Sequence, residues 1–249
     1  MKDKNICYKF LNFLERSLAN FQGKGWGAFT TKKEFASAIT LLLNKEPKLC
    51  IDIGGNKGLY SEEILGKYPN CSIVIFEPSK SNVKILREKF GANNRVFIEQ
   101  IAVSNVKGDV TLFSDKDGSA LASLTKRRLK HFEKDFSNTE SVKIIKFEDY
   151  WIEKLRSKSI DICKIDIEGH EMDALSGFGE AINHIKIIQF EFGGCNIDTK
   201  NFFKDFWYFF EEKGFDLYRV APIGLIQITK YKESDEFFVT TNYIAKRKA

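Results

Sequence analysis

Acidic side chains stand at the ends of two apolar segments in the first third of the chain. The first segment, Leu49–Ile53, carries Asp52 and breaks into the glycine-containing turn 54–58, and the second, residues 72–76, is followed by Glu77. If both segments are strands of one parallel sheet, they end at the same edge, which is where such sheets bind adenosine-containing cofactors. The backbone amides of the turn would bind a ligand carboxylate or phosphate. The pattern therefore predicts a cofactor site at this edge.

The type of cofactor follows from the turn and from Asp52. Counting from Gly54, the middle glycine of a GxGxxG fingerprint would fall at Asn56 and the third at Leu59, so a pyrophosphate binder is disfavoured. A carboxylate just before the turn would repel a pyrophosphate, whereas it accepts hydrogen bonds from an ammonium group. Glu77 is placed to bind both hydroxyls of a ribose. These features favour S-adenosylmethionine over a nicotinamide dinucleotide.

A third acidic cluster, residues 166–171, follows the apolar run Ile160–Ile165. Alternation along the strand end places Asp166 and Glu168 on one side, and Gly169 permits the turn into the next helix. Two carboxylates and the imidazole of His170 would then meet above the sheet, where they could transfer a proton. The alternative is that His170 lies in the first turn of the helix without a chemical role, beside an acidic residue that the macrodipole favours.

Four short motifs occur between Leu49 and Phe192, in an order that matters for identification. They are Asp52-Ile53-Gly54-Gly55-Asn56-Lys57-Gly58-Leu59-Tyr60-Ser61, Phe76-Glu77-Pro78, Ala102-Val103-Ser104 and Lys164-Ile165-Asp166-Ile167-Glu168-Gly169-His170-Glu171. Together and in this order they resemble the FkbM family of S-adenosylmethionine-dependent methyltransferases. Gly55 is a small departure, since the family more often has alanine there.

The resemblance implies a set of cofactor-binding residues. Those expected at the methionine end are Asp52, Gly54, Asn56 and Gly58. Glu77 is expected to hold the ribose, and Ala102 with Ser104 is expected to border the adenine. The remaining members of the expected set are Tyr60, Ser61, Pro78 and Asp166.

Transfer of a methyl group from a sulfonium to a hydroxyl needs alignment and a base that removes the hydroxyl proton. We expect His170 to be this general base, Asp166 to position the cofactor or acceptor, and Glu168 to orient the imidazole. In a less favoured alternative, Asp166 and Glu191 hold Mg²⁺, which would lower the pKa of the acceptor hydroxyl.

Alternating strands and helices from Leu49 onward predict an α/β fold with a mostly parallel, Rossmann-like class I methyltransferase sheet. Apolar residues at helical spacing predict an N-terminal helical layer or lid over residues 1–46, before a methyltransferase domain over residues 47–249. Residues 96–103 are expected to form one strand. The C-terminal segments expected to complete an antiparallel edge are 215–219, 224–229 and 237–240. Helix 201–213 is expected to pack Phe202, Phe206, Phe209 and Phe210 on the sheet.

The polar stretch 115–140 interrupts the alternation, and we expect it to be an insertion that contacts the acceptor. Its basic run, Lys126–Lys130, is typical of a solvated helix face. The resemblance implies O-methylation of polyketides, glycans or other hydroxylated metabolites. With the basic run, it favours a hydroxyl of a sugar or nucleotide-activated sugar for surface polysaccharide, with a polyketide as the alternative. A cofactor-binding protein without catalysis and a nicotinamide oxidoreductase are the rival classes.

Composition limits the partners. The 39 basic residues are interspersed with 34 acidic ones, for a net charge of +5, which argues against a nucleic-acid partner. The five cysteines are an odd number without a CxxC pair, as expected for reduced thiols in a cytoplasmic protein. No uncharged run approaches the roughly 18 residues of a transmembrane segment, and the N-terminus does not resemble a signal peptide. A monomer and a homodimer both remain open.

Overall fold

The computed structural model describes residues 2–27 and 30–248, and its elements alternate as the sequence predicts. The strands in these residues are β1 (Leu49–Ile53), β2 (Ser72–Phe76), β3 (Val96–Glu99), β4 (Ala102–Ser104), β5 (Gly108–Ser114), β6 (Asn138–Lys146), β7 (Ile160–Ile165), β8 (Ile185–Phe192), β9 (Phe215–Ala221), β10 (Gly224–Ile228) and β11 (Thr241–Arg247). The α-helices are α1 (Lys2–Phe21), α2 (Thr31–Leu41), α3 (Leu59–Lys67), α4 (Lys80–Phe90), α5 (Phe147–Glu153), α6 (Glu171–Ser176), α7 (Cys195–Thr199) and α8 (Phe203–Glu212).

The central sheet of the described residues has the order β10-β9-β11-β8-β7-β1-β2-β3. Strands β3, β2, β1, β7 and β8 run parallel, whereas β11 is antiparallel to both β8 and β9, and β10 is antiparallel to β9. The predicted α/β fold, mostly parallel with an antiparallel C-terminal part, is confirmed. The carboxyl ends of β1, β2, β7 and β8 therefore lie at one edge of the sheet, which we call the carboxyl edge.

Helices cover both faces of the sheet, which explains why β1 and β7 are buried at every residue. On one face, α8 packs the fully buried Phe203, Phe206 and Phe210 against the sheet. The rings of Phe206 and Phe210 stack on Phe190 with centroids 4.9 and 5.1 Å away. The predicted aromatic face is confirmed for the buried Phe206 and Phe210 and for the partly buried Phe209, but was wrong for Phe202. The helix begins at Phe203, two residues later than predicted, and leaves Phe202 half exposed.

The two N-terminal helices differ in their packing. α2 lies on the opposite face of the sheet, where Phe35, Ala38 and Ile39 are buried in a cluster with side chains of β1, β2 and α3. α1 leaves its large apolar side chains exposed from Ile6 to Phe21. α2 is therefore a layer of the core and not a lid over the carboxyl edge. None of the helices in the described residues combines the length and the apolar composition needed to cross a bilayer.

Two strand predictions were wrong. Residues 96–103 form two strands, because the chain turns where the Ile101 amide bonds to the Glu99 carbonyl at 3.0 Å, so that β3 joins the central sheet and β4 a second sheet. Residues 237–240 are irregular, and the predicted last strand begins at Thr241 instead. That strand lies between β9 and β8, so the edge is formed by β10.

The second sheet of the described residues has the order β4-β6-β5 and holds the insertion. The connection between β5 and β6 contains the predicted insertion up to residue 137, whereas residues 138–140 already belong to β6. A bridge between Phe113 and Ser123 turns the connection back on itself. Its residues 119–124 reach the carboxyl edge of the central sheet.

Candidate active site

A cavity lies between the carboxyl edge and the insertion. Eight of the predicted site residues line it: Gly54, Asn56, Glu77, Pro78, Ala102, Asp166, Glu168 and His170. The insertion contributes Ser119, Ala120, Ala122, Ser123 and Leu124. The predicted cofactor motif and the predicted proton-transfer cluster are therefore walls of one cavity, and the insertion is its cover.

Glu77 is a rigidly held carboxylate in the cavity wall. Its Oε2 accepts the Asn56 amide at 2.8 Å, and its Oε1 accepts the Ser79 amide at 2.9 Å and the Asn82 side-chain amide at 3.4 Å. Burial raises the pKa of Glu77, although these hydrogen bonds oppose the rise. Because a carboxylate oxygen has more than one lone pair, Glu77 keeps acceptor capacity toward the cavity, as a ribose diol requires.

The glycine turn shapes the cavity but does not offer the expected amides. Gly54 has φ +82°, and a Cβ there would overlap the carbonyl oxygen of Asp166, so only glycine fits. The amides of Gly54 and Gly55 donate to the Phe76 carbonyl at 2.8 and 3.1 Å, and that of Gly58 donates to Gly55 at 2.7 Å. The expectation of a carboxylate socket at these amides was wrong, since the chain itself uses them. The turn instead provides a wall without side chains, which permits close approach of a ligand.

Asp52 lies behind the cavity and not in its wall. It is fully buried, its Oδ2 accepts the Ser61 hydroxyl at 2.7 Å, and its Oδ1 has no partner in the described residues. Burial raises the pKa of Asp52, and the charge of Lys164 opposes this rise. The Lys164 ammonium lies 2.8 Å from Asp166 Oδ2. Burial lowers the pKa of Lys164, but Asp166, Asp52 and Glu34 more than compensate and hold it above its usual value, so the charged lysine fixes Asp166 at the wall.

Three other predicted cofactor residues lie away from the cavity. Tyr60 is buried on the face covered by α2, where its hydroxyl donates to Gln189 at 2.9 Å. Gly58 permits helix packing, because a Cβ there would overlap the ring of Phe90. Ser104 is buried at the end of β4, with its carbonyl close to Gly177. Ser61, whose hydroxyl donates to Asp52, does not line the cavity either. The structure therefore does not bring these four residues to the cavity wall, and their contact with the cofactor stays a prediction.

His170 is held between two side chains. Its Nδ1 lies 2.7 Å from Asp173 Oδ2, and its Nε2 lies 3.0 Å from the Thr125 hydroxyl of the insertion. A carboxylate on Nδ1 requires a proton there, which leaves Nε2 as the acceptor of the hydroxyl proton. The prediction that Glu168 orients the imidazole was wrong. Asp173 takes that place because it lies one helical turn after His170, whereas Glu168 turns to another partner.

That partner is Arg127, which fastens the insertion over the cavity. Arg127 donates to Glu168 Oε2 at 2.7 Å and to Asp198 Oδ2 at 3.0 Å, and its side chain is only 8% exposed. Ser123 donates to the Glu168 carbonyl at 2.8 Å. With Thr125, these alternate residues bind the loop after β7, and we call the segment 123–127 the strap. The interpretation of the basic run as a solvated helix face was wrong, since residues 126–129 form no helix and Arg127 is buried.

Acidic groups dominate the electrostatics of the site. Burial and the charge of Asp166 raise the pKa of Glu168 to about 8, although Arg127 opposes the rise. Burial and the same neighbouring charge raise the pKa of Glu191, and burial raises that of Glu171. Among the described residues, this excess of carboxyl groups is opposed nearby by Lys164 and Arg127. A cationic ligand would relieve the repulsion.

The structure offers limited support for a metal. The described residues contain no group of three or more His, Cys, Asp or Glu side chains arranged to hold a metal ion. The charge of Asp166 raises the pKa of Glu191, but Asp166 is already bound to Lys164. The magnesium alternative therefore remains without a ligand set.

Sequence reasoning missed several residues of the site. Asp173 could have been found, because its spacing of three from His170 places both on one side of a helix. Arg127 and Thr125 carry no such signal, since their partners lie far away in sequence. Lys164 could have been found, because its spacing of two from Asp166 places both on one side of the strand end. Glu34 of α2 also escaped notice, although it is buried and accepts the Gln189 side-chain amide at 2.6 Å.

Comparisons with known proteins give sequence relatives that are named methyltransferases. The chain is 26% identical over 163 residues to the 2-O-methyltransferase NoeI of Sinorhizobium fredii, covering 62% of this chain and 67% of that protein. It is 22% identical over 144 residues to Methyltransferase 1 of Beauveria bassiana, of which it covers 58%.

Two more distant solved structures are similar in shape. Methyltransferase FkbM from Methylobacillus flagellatus has a TM-score of 0.47 and 14% identity, covering 80% of this chain and 44% of that one. The plantazolicin methyltransferase BpumL in complex with SAH has a TM-score of 0.45 and 10% identity, covering 97% and 90%.

The match to the model of a protein family identifies the family of this chain. The Methyltransferase FkbM domain matches residues 52–217, a range that begins at Asp52 and includes both the cofactor motif and the loop after β7. This range is well over half of the chain, and it contains every residue found in the cavity wall. The chain belongs to the FkbM methyltransferase family.

Proposed function

We propose that the chain is an S-adenosylmethionine-dependent O-methyltransferase with His170 as its general base. The observation that carries this proposal is the position of His170, which lines the same cavity as Glu77 and whose Nε2 lies 3.0 Å from the Thr125 hydroxyl. It demonstrates that the ring nitrogen can meet an alcohol oxygen at hydrogen-bond distance. An acceptor hydroxyl that replaces Thr125 would be placed beside the cofactor pocket.

The residues of the cavity suit this cofactor. When bound, S-adenosylmethionine supplies a methyl group on a cationic sulfonium. Glu77 offers oxygens for the ribose hydroxyls, and Ala102, Val103 and Leu112 provide an apolar wall for the adenine. The surplus of carboxyl groups around Asp166 favours the positive charges of the sulfonium and of the ammonium group. Asp166 and Gly54 would border the methionine end.

Proton transfer would depend on the alignment of His170 and Asp173. Asp173 accepts a hydrogen bond from the Nδ1–H group, so the Nε2 lone pair would be free to take the proton of an acceptor hydroxyl. The imidazolium that forms is stabilised by the Asp173 carboxylate. Glu168 would act indirectly, by holding Arg127 and with it the strap.

For the acceptor we propose a sugar hydroxyl, with a nucleotide-activated sugar for surface polysaccharide as the form to test first. Ser119, Ser123 and Asn82 give the cavity polar groups that can bind neighbouring hydroxyls. The relative NoeI is named a 2-O-methyltransferase, which supports transfer to oxygen. The side chains of Lys126, Arg128 and Lys130 are exposed and do not line the cavity, so they do not add support for a phosphate inside it. A polyketide hydroxyl is the second candidate.

We place the reaction in the cytoplasm, since four of the five cysteines are buried free thiols.

Two measurements test this function. Calorimetric titration should show binding of S-adenosylhomocysteine, and a titration with NADH should not. Labelled S-adenosylmethionine, incubated with a panel of sugars, nucleotide sugars and polyketide alcohols, should give a labelled ether that His170→Ala forms at least a hundredfold more slowly. Cofactor binding that survives in His170→Ala would assign the loss to chemistry. Binding without turnover on any acceptor would favour the non-catalytic alternative, and turnover only on lipids or proteins would reject the sugar.

A further inference from the structure

Helix α1 has a wide apolar face that the rest of the described chain does not cover. Ile6, Phe10, Leu11, Phe13, Leu18 and Phe21 are each 58–66% exposed, and Leu14 is 39% exposed. At 3.6 residues per turn, these side chains occupy nearly half of the helix circumference, and Lys9, Asn12 and Arg16 lie on the other half. In a two-stranded coiled coil, the partner helix would cover a narrower stripe than this apolar face.

The attachment of α1 places the C-terminal end of the helix at the carboxyl edge. The Gly25 amide donates to the Thr241 hydroxyl at 3.0 Å, and Thr241 begins β11, which runs antiparallel to β8. A Cβ on Gly23 would overlap the carbonyl of Val220 near the end of β9. Four other exposed apolar side chains belong to helix α7 or to the loops of the same edge. They are Ile197, Phe202, Ile223 and Val239, each 49–60% exposed.

The insertion adds positive charge at this edge. Lys126, Arg128 and Lys130 are exposed and alternate with the buried Arg127 and Leu129. Within residues 2–27 and 30–248, the three exposed cations form no ion pair. Two residues further along, Phe132 is 65% exposed. Exposed cations next to an exposed aromatic ring are suited to binding a partner whose surface is anionic and whose interior is apolar.

We propose that the carboxyl edge docks on an anionic lipid bilayer, with α1 lying in the interface. A helix with a wide apolar face and a basic polar face buries its apolar side among the acyl chains near the headgroups. Lys126, Arg128 and Lys130 bind anionic headgroups, and Phe132 enters the interface beside them. Lipid fits better than a second copy of the chain, because a second α1 would cover only part of the apolar face.

Sedimentation with vesicles tests the proposal without reference to methyl transfer. The full chain is mixed with vesicles of phosphatidylcholine alone or of phosphatidylcholine with phosphatidylglycerol. One variant combines Phe10→Gln, Leu14→Gln and Leu18→Gln, and its control combines Asn12→Gln and Asn20→Gln on the polar half of α1. A second variant combines Lys126→Gln, Arg128→Gln and Lys130→Gln. Its control removes the same charge from the opposite edge, at Lys45, Lys48 and Lys248, each changed to Gln.

We expect binding to the anionic vesicles that falls roughly tenfold or more in each test variant and less than twofold in each control. Equal binding by the basic variant and its control would overturn the role of the insertion. No binding by the unaltered chain would overturn the proposal as a whole. In that case, a dimer in light scattering that the α1 variant dissociates would assign the apolar face to a second copy. Circular dichroism confirms that each variant remains folded.

Discussion

His170 Nδ1 lies 2.7 Å from Asp173 Oδ2, and the two residues are three positions apart at the start of α6. This pair fixes which ring nitrogen carries the proton, so the orientation of the proposed base depends on Asp173 and not on Glu168.

The first prediction concerns Asp173. Asp173→Asn should lower kcat roughly tenfold to a hundredfold, because the amide can donate to Nδ1 and so favour the wrong tautomer. The KM for the cofactor should stay within about twofold, and the pH profile of kcat should change. Ser176→Ala on the same helix is the control. A kcat that stays at the value of the unaltered chain would contradict the assigned role.

Glu77 should determine cofactor affinity. Glu77→Gln removes one charged acceptor, and hydrogen bonds to charged groups are worth about 1.5–3 kcal/mol, so the Kd for S-adenosylhomocysteine should rise roughly tenfold to a hundredfold. Calorimetry measures the change, and Glu140→Gln is the control, since it alters a half-buried carboxylate of β6 that accepts the Lys80 amide at the start of α4. An unaltered Kd in a folded variant would show that the ribose binds elsewhere.

Arg127 should hold the insertion closed. Arg127→Met leaves the carboxylates of Glu168 and Asp198 without their partner, and we expect the free energy of unfolding to fall by about 1–3 kcal/mol. Limited proteolysis should cut between residues 115 and 137 faster than in the unaltered chain. Arg87→Met, on the exposed side of α4, should have neither effect. Equal cleavage rates for both variants would argue against a strap that depends on Arg127.

The stability of the ligand-free chain should fall as pH rises. Glu168, with a pKa raised to about 8 from an ordinary value of 4.5, stays protonated in the folded chain after it has ionised in the unfolded chain. Its stabilising contribution is therefore complete below about pH 4.5 and is lost as pH rises through about 8, and the raised pKa values of Asp52, Glu77 and Glu171 act in the same direction.

Thermal unfolding between pH 5 and 8 measures this loss, and Glu168→Gln should flatten the curve. Cationic S-adenosylmethionine should raise Tm more at pH 8 than at pH 6, because it stabilises the ionised carboxylates. S-adenosylhomocysteine, which lacks the sulfonium charge, should show a weaker dependence. A Tm that rises with pH in the ligand-free chain would contradict this account of the site.

The parallel half of the fold was predictable because its strands are continuous apolar runs. Strands β1 and β7 are each buried throughout, so their composition alone marks them, and the polar residues that follow them could only lie at the carboxyl edge. The antiparallel part was less predictable. Strand β11 was placed too early because the irregular segment Phe237–Val239 is as apolar as a strand, although Val239 is half exposed.

The limits of the site prediction are also physical. Motif resemblance identified Tyr60 and Ser61, but it does not say toward which face of the sheet a side chain points, and both residues turn away from the cavity. The strap joins Arg127 to Asp198 across 71 positions of sequence. A local pattern contains no information about such a pair, and for this reason the basic run was read as a solvated helix.

The hydroxyl of Thr125 already occupies the nitrogen that the proposed reaction needs. Any alcohol must therefore compete with an alcohol that belongs to the chain, and a solvent molecule that makes one hydrogen bond gains nothing by the exchange. Only a molecule that makes further contacts across the cavity can displace the threonine. The resting site would thus protect the methyl donor from wasteful hydrolysis until a true acceptor arrives.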